Sequence, residues 1–72
     1  MDQVTQYYID GIKEARSFFD KYGKEDGFSI QAEIDNIKST LKGFTRSSPV
    51  GQMLQGQLEF WINQKNKHVK GD

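Results

Sequence analysis

The sequence predicts an all-α fold, a small unit of three helices. Apolar residues recur at steps of three and four in three separate stretches, and a helix-capping aspartate or serine precedes each stretch. No stretch alternates apolar and polar residues for the length that a strand requires. We therefore expect one helical domain over residues 1–66 of this 72-residue chain, followed by a flexible basic tail over residues 67–72.

The first predicted helix, residues 3–22, has the widest apolar face. Its apolar face has two neighbouring rows. The first contains Val4, Tyr8, Ile12, Ala15, Phe19 and Tyr22, and the second contains Tyr7, Gly11, Phe18 and Tyr22. Asp2 is the expected N-cap, and Gly23 is expected to end the helix in the left-handed conformation. Gly11 indicates either close approach of another helix or a tolerated weak spot.

The second and third predicted helices have narrower apolar stripes. Residues 30–42 follow the N-cap candidate Ser29 and place an apolar side chain at every third or fourth position, ending with Lys42 and Gly43. Residues 49–65 follow Ser48, with Pro49 at the first helical position, where a missing amide costs no helical hydrogen bond. The short connection between the first two helices predicts an antiparallel helix 1/helix 2 hairpin.

Aromatic residues are the basis of the functional expectation. The third helix should return Phe60 and Trp61 towards Phe19, yet three short helices have little capacity to cover every ring. We therefore expect a homodimer that pairs mainly through helix 1. The expected contact residues are Tyr7, Tyr8, Gly11, Phe18, Phe60 and Trp61. The alternative is a monomer whose aromatic rings fill a small core.

Composition excludes several classes of activity. Ten acidic and ten basic side chains cancel, which removes the overall attraction expected of a dedicated nucleic-acid or membrane binder. The absence of cysteine excludes disulfides and thiolate chemistry. His68 is the only histidine and lies in the predicted tail, and Asp10 with Glu14 is expected on a solvated face. We predict no catalytic, cofactor or metal site, no membrane span and a cytoplasmic location.

Nucleic-acid binding remains as the alternative function. Residues 34–58 give the order of parts of a helix-turn-helix motif. The residues that would contact nucleic acid are Arg46, Ser47 and Ser48 in the connector, with Lys65 and Lys67 assisting. The predicted third helix exposes glutamines rather than cations before Lys65, which disfavours this interpretation.

The sequence thus favours a small non-enzymatic interaction protein. We expect a protein partner, a homodimer and an accessory or regulatory role, as in the small proteins that mobile elements such as phages often encode.

Overall fold

A computed structural model describes residues 5–67 in full and the backbone of residues 68–70. Three helices make up the fold: α1 (Gln6–Tyr22), α2 (Ile30–Leu41) and α3 (Pro49–Lys70). The predicted all-α class is confirmed. Parts of the predicted tail differ from expectation, because α3 continues five residues beyond the predicted end at Lys65, while residues 71–72 lie outside the described part of the chain.

The helix starts follow hydroxyl caps. Thr5 is the N-cap of α1, since it has extended backbone angles and its side-chain oxygen accepts a hydrogen bond from the Tyr8 amide at 3.1 Å. The predicted start at residue 3 is therefore too early, and Asp2 lies outside the described residues. Ser29 caps α2 as predicted, accepting from the Ala32 amide at 3.1 Å.

The predicted left-handed conformation of Gly23 at the end of α1 is not observed. Gly23 follows α1 with φ of −64°, an ordinary right-handed value, so it does not end the helix in the left-handed conformation. Within the described residues that conformation belongs to Gly27, with φ of 85°, in the connector before α2. A φ in this range strains any residue that has a Cβ, which explains glycine at position 27.

The third helix is the centre of the fold. Both α1 and α2 pack against α3, and within the described residues the backbones of α1 and α2 make no close approach to each other. The predicted helix 1/helix 2 hairpin is thus not the unit on which this fold is built. Side-chain pairs show the directions: Glu14 meets Gln57 and Phe19 meets Phe60, so α1 runs parallel to α3.

The chain direction of α2 is opposite to that of α3. Gln31, near the start of α2, accepts a hydrogen bond from the ammonium of Lys65, near the end of α3. Leu41, the last residue of α2, shares a surface depression with Leu58, which lies about two turns before Lys65 in α3. The three helices therefore run up, down and up, with α3 between the other two.

The core lies on the face of α3 that contacts both other helices. Its buried side chains are Ala15, Ile34, Ile37, Phe60 and Trp61. Trp61 is the most enclosed, at 2% exposed. Partly buried side chains surround this core: Ile12, Phe19, Phe28, Ile30, Leu54 and Leu58. Among the described residues, no buried side-chain nitrogen or oxygen lacks a hydrogen-bond partner.

Aromatic rings from α1, α3 and the connector before α2 meet at Trp61. Its ring centroid lies 5.1 Å from Phe60, 5.7 Å from Phe19 and 5.7 Å from Phe28. The prediction that α3 returns its aromatic pair towards Phe19 is confirmed. Phe28, which lies in the connector and outside any helical repeat, is a core contact that the periodicity did not reveal.

Two glycines allow α1 and α3 to approach closely. A Cβ on Gly11 would lie 2.0 Å from the Met53 carbonyl oxygen, and a Cβ on Gly56 would lie 2.1 Å from the Tyr8 carbonyl oxygen. Each helix thus places one glycine against the backbone of the other. Of the two interpretations of Gly11, close approach of another helix is the one observed.

Candidate interaction surface

The six predicted interface residues are divided between the surface and the core. Tyr7 is 48% exposed, Phe18 is 40% exposed and Tyr8 is half-buried. The other three are buried within a single chain: Gly11, Phe60 and Trp61. In this conformation α3 covers Gly11 and the aromatic cluster encloses the two rings, so the single chain does not present these three residues on its surface.

The exposed rings of α1 do not form one patch. Tyr7 and Phe18 are separated by 11 positions, about 16 Å along the helix at 1.5 Å per residue. Phe18 lies over the edge of the core, with its ring centroid 4.8 Å from Tyr22 and 6.3 Å from Trp61. Both rings are accessible, and Gly11 and Ala15, which lie between them in the sequence, are buried.

A shallow depression lies where all three helices meet the surface, with a volume of about 170 Å³. We call it the α3 depression. Its apolar lining is Tyr8 from α1, Leu41 from α2, and Leu58 and Ile62 from α3. Its polar lining is Arg46, Gln55 and Glu59. Ile62 is 36% exposed, so the apolar lining reaches the surface of the molecule.

The Tyr8 hydroxyl reflects the environment of this depression. Burial, and secondly the negative charge of Glu59, raise the pKa of Tyr8 above its ordinary value of 10.0. Both causes disfavour the tyrosinate, one by removing water and the other by repulsion. Tyr8 therefore presents a neutral, partly desolvated ring to the depression at physiological pH.

A second cleft opens between α1 and α2, where their backbones stay apart, and has a volume of about 240 Å³. Ala15, Trp61 and Phe18 supply its apolar lining. Carboxylates line it from two sides, Glu14 from α1 and Glu33 from α2. We call this the acidic cleft; two like charges distinguish it from the α3 depression.

The largest of these concavities is a groove of about 630 Å³ between α1 and α3. Ile12 and Phe60 supply its apolar lining. The rest of the lining is polar: Arg16, Glu59, Asn63, Gln64, Asn66 and Lys67. Charges of both signs lie here on polar side chains, an arrangement that water solvates readily and that selects no single class of ligand.

Asp10 and Glu14 of α1 have different hydrogen-bond partners. Asp10 accepts a hydrogen bond from the Gln6 side-chain amide at 2.8 Å, whereas Glu14 accepts from the Gln57 side-chain amide at 3.2 Å. No group of three or more histidine, aspartate or glutamate side chains suited to a metal ion occurs among the described residues, which do not include the His68 side chain.

The candidate nucleic-acid contacts lie at opposite ends of α3. Ser48 caps the helix, donating to the Thr45 carbonyl at 2.6 Å and accepting from the Gly51 amide at 3.0 Å. Lys65 lies about 24 Å further along the helix axis than Pro49 and donates to Gln31 of α2. Arg46 and Lys65 therefore do not share one phosphate-binding face, and the Ser48 hydroxyl is engaged within the chain.

Glutamines fix the connector to α3, a role that sequence patterning did not reveal. The side-chain amide of Gln55 donates to the Arg46 carbonyl at 2.9 Å, and that of Gln52 donates to the Ser47 carbonyl at 2.8 Å. Gln52 also accepts a hydrogen bond from the Thr5 hydroxyl. The signal for this role in the sequence was the polar side of α3, which carries glutamines where a solvent-exposed helix usually carries charged residues.

The helices in the described part of the chain are not long and apolar enough to cross a membrane. Comparison with protein-family models, curated proteins and solved structures gives no match for this chain.

Proposed function

We propose that this chain is a small non-enzymatic interaction protein that acts through protein–protein contacts, in the cytoplasm, as a homodimer with an accessory or regulatory role. The observation that supports the proposal is the large apolar side chains that stay exposed although the core is complete. They are Tyr7, Phe18, Phe44, Val50 and Ile62. A protein partner that covers them removes apolar surface from water, which favours binding.

Rigid support makes two of these side chains good anchors. Phe18 lies against the aromatic cluster, and Ile62 belongs to the α3 depression, whose walls come from three helices. An anchor that is already held in one position loses little entropy when a partner covers it. Scattered apolar side chains are normal on a protein surface, so these two supported positions favour a protein contact more than the number of exposed apolar side chains does.

The nucleic-acid alternative has less support. About 24 Å separates the start of α3, next to the Arg46 connector, from Lys65, and Lys65 is hydrogen-bonded to α2. Phosphate binding depends on several cations that act on one stretch of backbone. A protein contact accounts for the apolar surface, which nucleic-acid binding leaves unexplained.

The test combines sedimentation with capture of a partner. We expect the intact protein to sediment as a dimer at micromolar concentration and to retain a defined partner on an affinity matrix. Phe18→Ala and Ile62→Ala should weaken one or both contacts, whereas Lys38→Ala, on an exposed position of α2, should weaken neither. Circular dichroism checks that each variant keeps its helix content.

The opposite result is equally specific. A monomer at every concentration, with no captured protein or with capture that Phe18→Ala and Ile62→Ala leave unchanged, would contradict the proposal. A salt-sensitive mobility shift of a DNA or RNA duplex, lost in Lys65→Ala, would support the nucleic-acid alternative instead.

A further inference from the structure

We propose that two copies of this chain pair through the α3 depression, across a two-fold axis. This inference rests on the proposed function and moves the contact from helix 1, where the sequence placed it, to a surface that all three helices form. The depression is the described concavity that combines an apolar lining with one positive and one negative side chain, Arg46 and Glu59.

Backbone contacts hold two parts of the wall of the depression. Tyr8 is held in place by Gly56, whose backbone lies against the Tyr8 carbonyl with no space for a Cβ. The backbone at Arg46 is tied to α3 by the Gln55 side-chain amide at 2.9 Å. Walls that are already ordered reduce the entropic cost of association, so a small apolar area contributes more of its free energy to binding.

Charge selects a second copy as the occupant. A partner that carries only one sign of charge can pair with Arg46 or with Glu59, both exposed, but not with both. A two-fold axis through the depression brings Glu59 of each copy towards Arg46 of the other, because an isologous contact is reciprocal. Two copies would therefore form two Arg46–Glu59 ion pairs. Between these pairs, Leu58 and Ile62 of both copies would form an apolar centre.

The other two concavities fit a second copy less well. The acidic cleft carries Glu14 and Glu33, so a two-fold contact there would bring four carboxylates together. The groove between α1 and α3 has mostly polar walls and an excess of positive charge from Arg16 and Lys67 over Glu59. Of the three, the α3 depression is the one whose charges cancel against a copy of itself.

Charge reversal tests the pairing. We expect Arg46→Glu and Glu59→Arg each to raise the dimer dissociation constant at least about tenfold, since each places like charges opposite one another. An equimolar mixture of the two variants should dimerise again, because one copy then presents two carboxylates at these positions and the other presents two guanidinium groups. The double variant should also recover the dimer. Sedimentation velocity measures all four samples.

Two controls separate this contact from others. Glu59 also lines the groove between α1 and α3, so Arg16→Glu, which alters that groove alone, should leave the dimer unchanged. Circular dichroism should show wild-type helix content in every variant, and the recovery on mixing cannot come from a variant that has unfolded.

The outcomes distinguish this inference from the proposed function. A wild-type dimer that both single reversals leave intact would overturn the inference and keep the interaction function, with the contact elsewhere. A wild-type monomer that still retains a protein partner would overturn the inference and the homodimer, and would keep only the contact with a protein partner. A wild-type protein that neither dimerises nor retains a partner would overturn both.

Discussion

Backbone contact at two glycines sets the separation of α1 and α3. Gly56 lies against the Tyr8 carbonyl and Gly11 against the Met53 carbonyl, and neither position has space for one more carbon atom. The neighbours that a new Cβ would meet are backbone atoms, which cannot rotate away as the end of a side chain can. Residue-scale packing therefore determines how tightly the central helix is held.

Gly56→Ala should destabilise the protein by about 1–3 kcal/mol, the usual cost of overpacking, although alanine is the better helix former. Urea unfolding followed by circular dichroism measures the loss. Gly43→Ala is the matched control, because its Cβ would lie 3.6 Å from the nearest atom, the Thr40 carbonyl oxygen, at ordinary contact distance. Equal stabilities for the two variants would show that α1 and α3 do not approach as described.

Tyr8 should make the protein sensitive to alkali. Burial raises the pKa of Tyr8 in the folded state above 10.0, the ordinary value that the unfolded chain keeps. Well below pH 10 the hydroxyl is neutral in both states, and the protein has its full stability. As pH rises further, the unfolded chain loses the proton first and stability falls. We expect Tyr8→Phe to lose less stability than the wild type between about pH 9 and 11. Tyr7→Phe, at an exposed ring, is the control and should follow the wild type; identical curves for all three proteins would contradict the assignment.

At the scale of the helices, short-range signals in the sequence determine where each helix starts. The helix starts at Ser29 and at Ser48-Pro49 coincide with the predicted ones, because a cap acts on amides within three residues of itself. The end of α3 was less accessible to prediction. Its apolar repeat stops at Ile62, but the next helix-breaking residue in the sequence is Gly71, and polar residues propagate a helix that has already formed.

Ser48→Ala should destabilise the protein by about 0.5–2 kcal/mol, because it leaves the Gly51 amide without its hydroxyl partner. Thermal unfolding measures the change. Ser47→Ala is the control, since the hydrogen bond that the structure gives Ser47 uses its backbone carbonyl, which the substitution keeps. Loss of stability in Ser47→Ala that matches or exceeds the loss in Ser48→Ala would contradict the capping role.

At the scale of the whole molecule, one aromatic ring links the packed parts of the core. Trp61 contacts Phe19, Phe28 and Phe60 and joins the packing of α1, α2 and the connector onto α3. In a chain of this size the total stability is on the order of 4–11 kcal/mol. The residue that the sequence suggested as a partner contact is therefore a central member of the core.

Trp61→Ala should cost about 3–5 kcal/mol, a large share of the total, and should leave much of the protein unfolded at room temperature. Far-ultraviolet circular dichroism at several temperatures checks this. Tyr7→Ala, which removes an exposed ring, should keep the wild-type helix content. If Trp61→Ala kept wild-type stability and lost only the binding of a partner, the result would contradict the core role of Trp61 and support a surface contact.

The sequence by itself determined the all-α class, the caps at Ser29 and Ser48 and the apolar face of each helix. These depend on hydrogen bonds and periodicities that span a few residues, which one sequence contains in full. Only the tertiary structure decided that α3, rather than a hairpin of α1 and α2, is the centre, and that Trp61 is enclosed while Phe18 and Ile62 stay accessible. An apolar stripe specifies which side of a helix is buried but not which neighbour covers it, because that choice depends on the packing of all three helices at once.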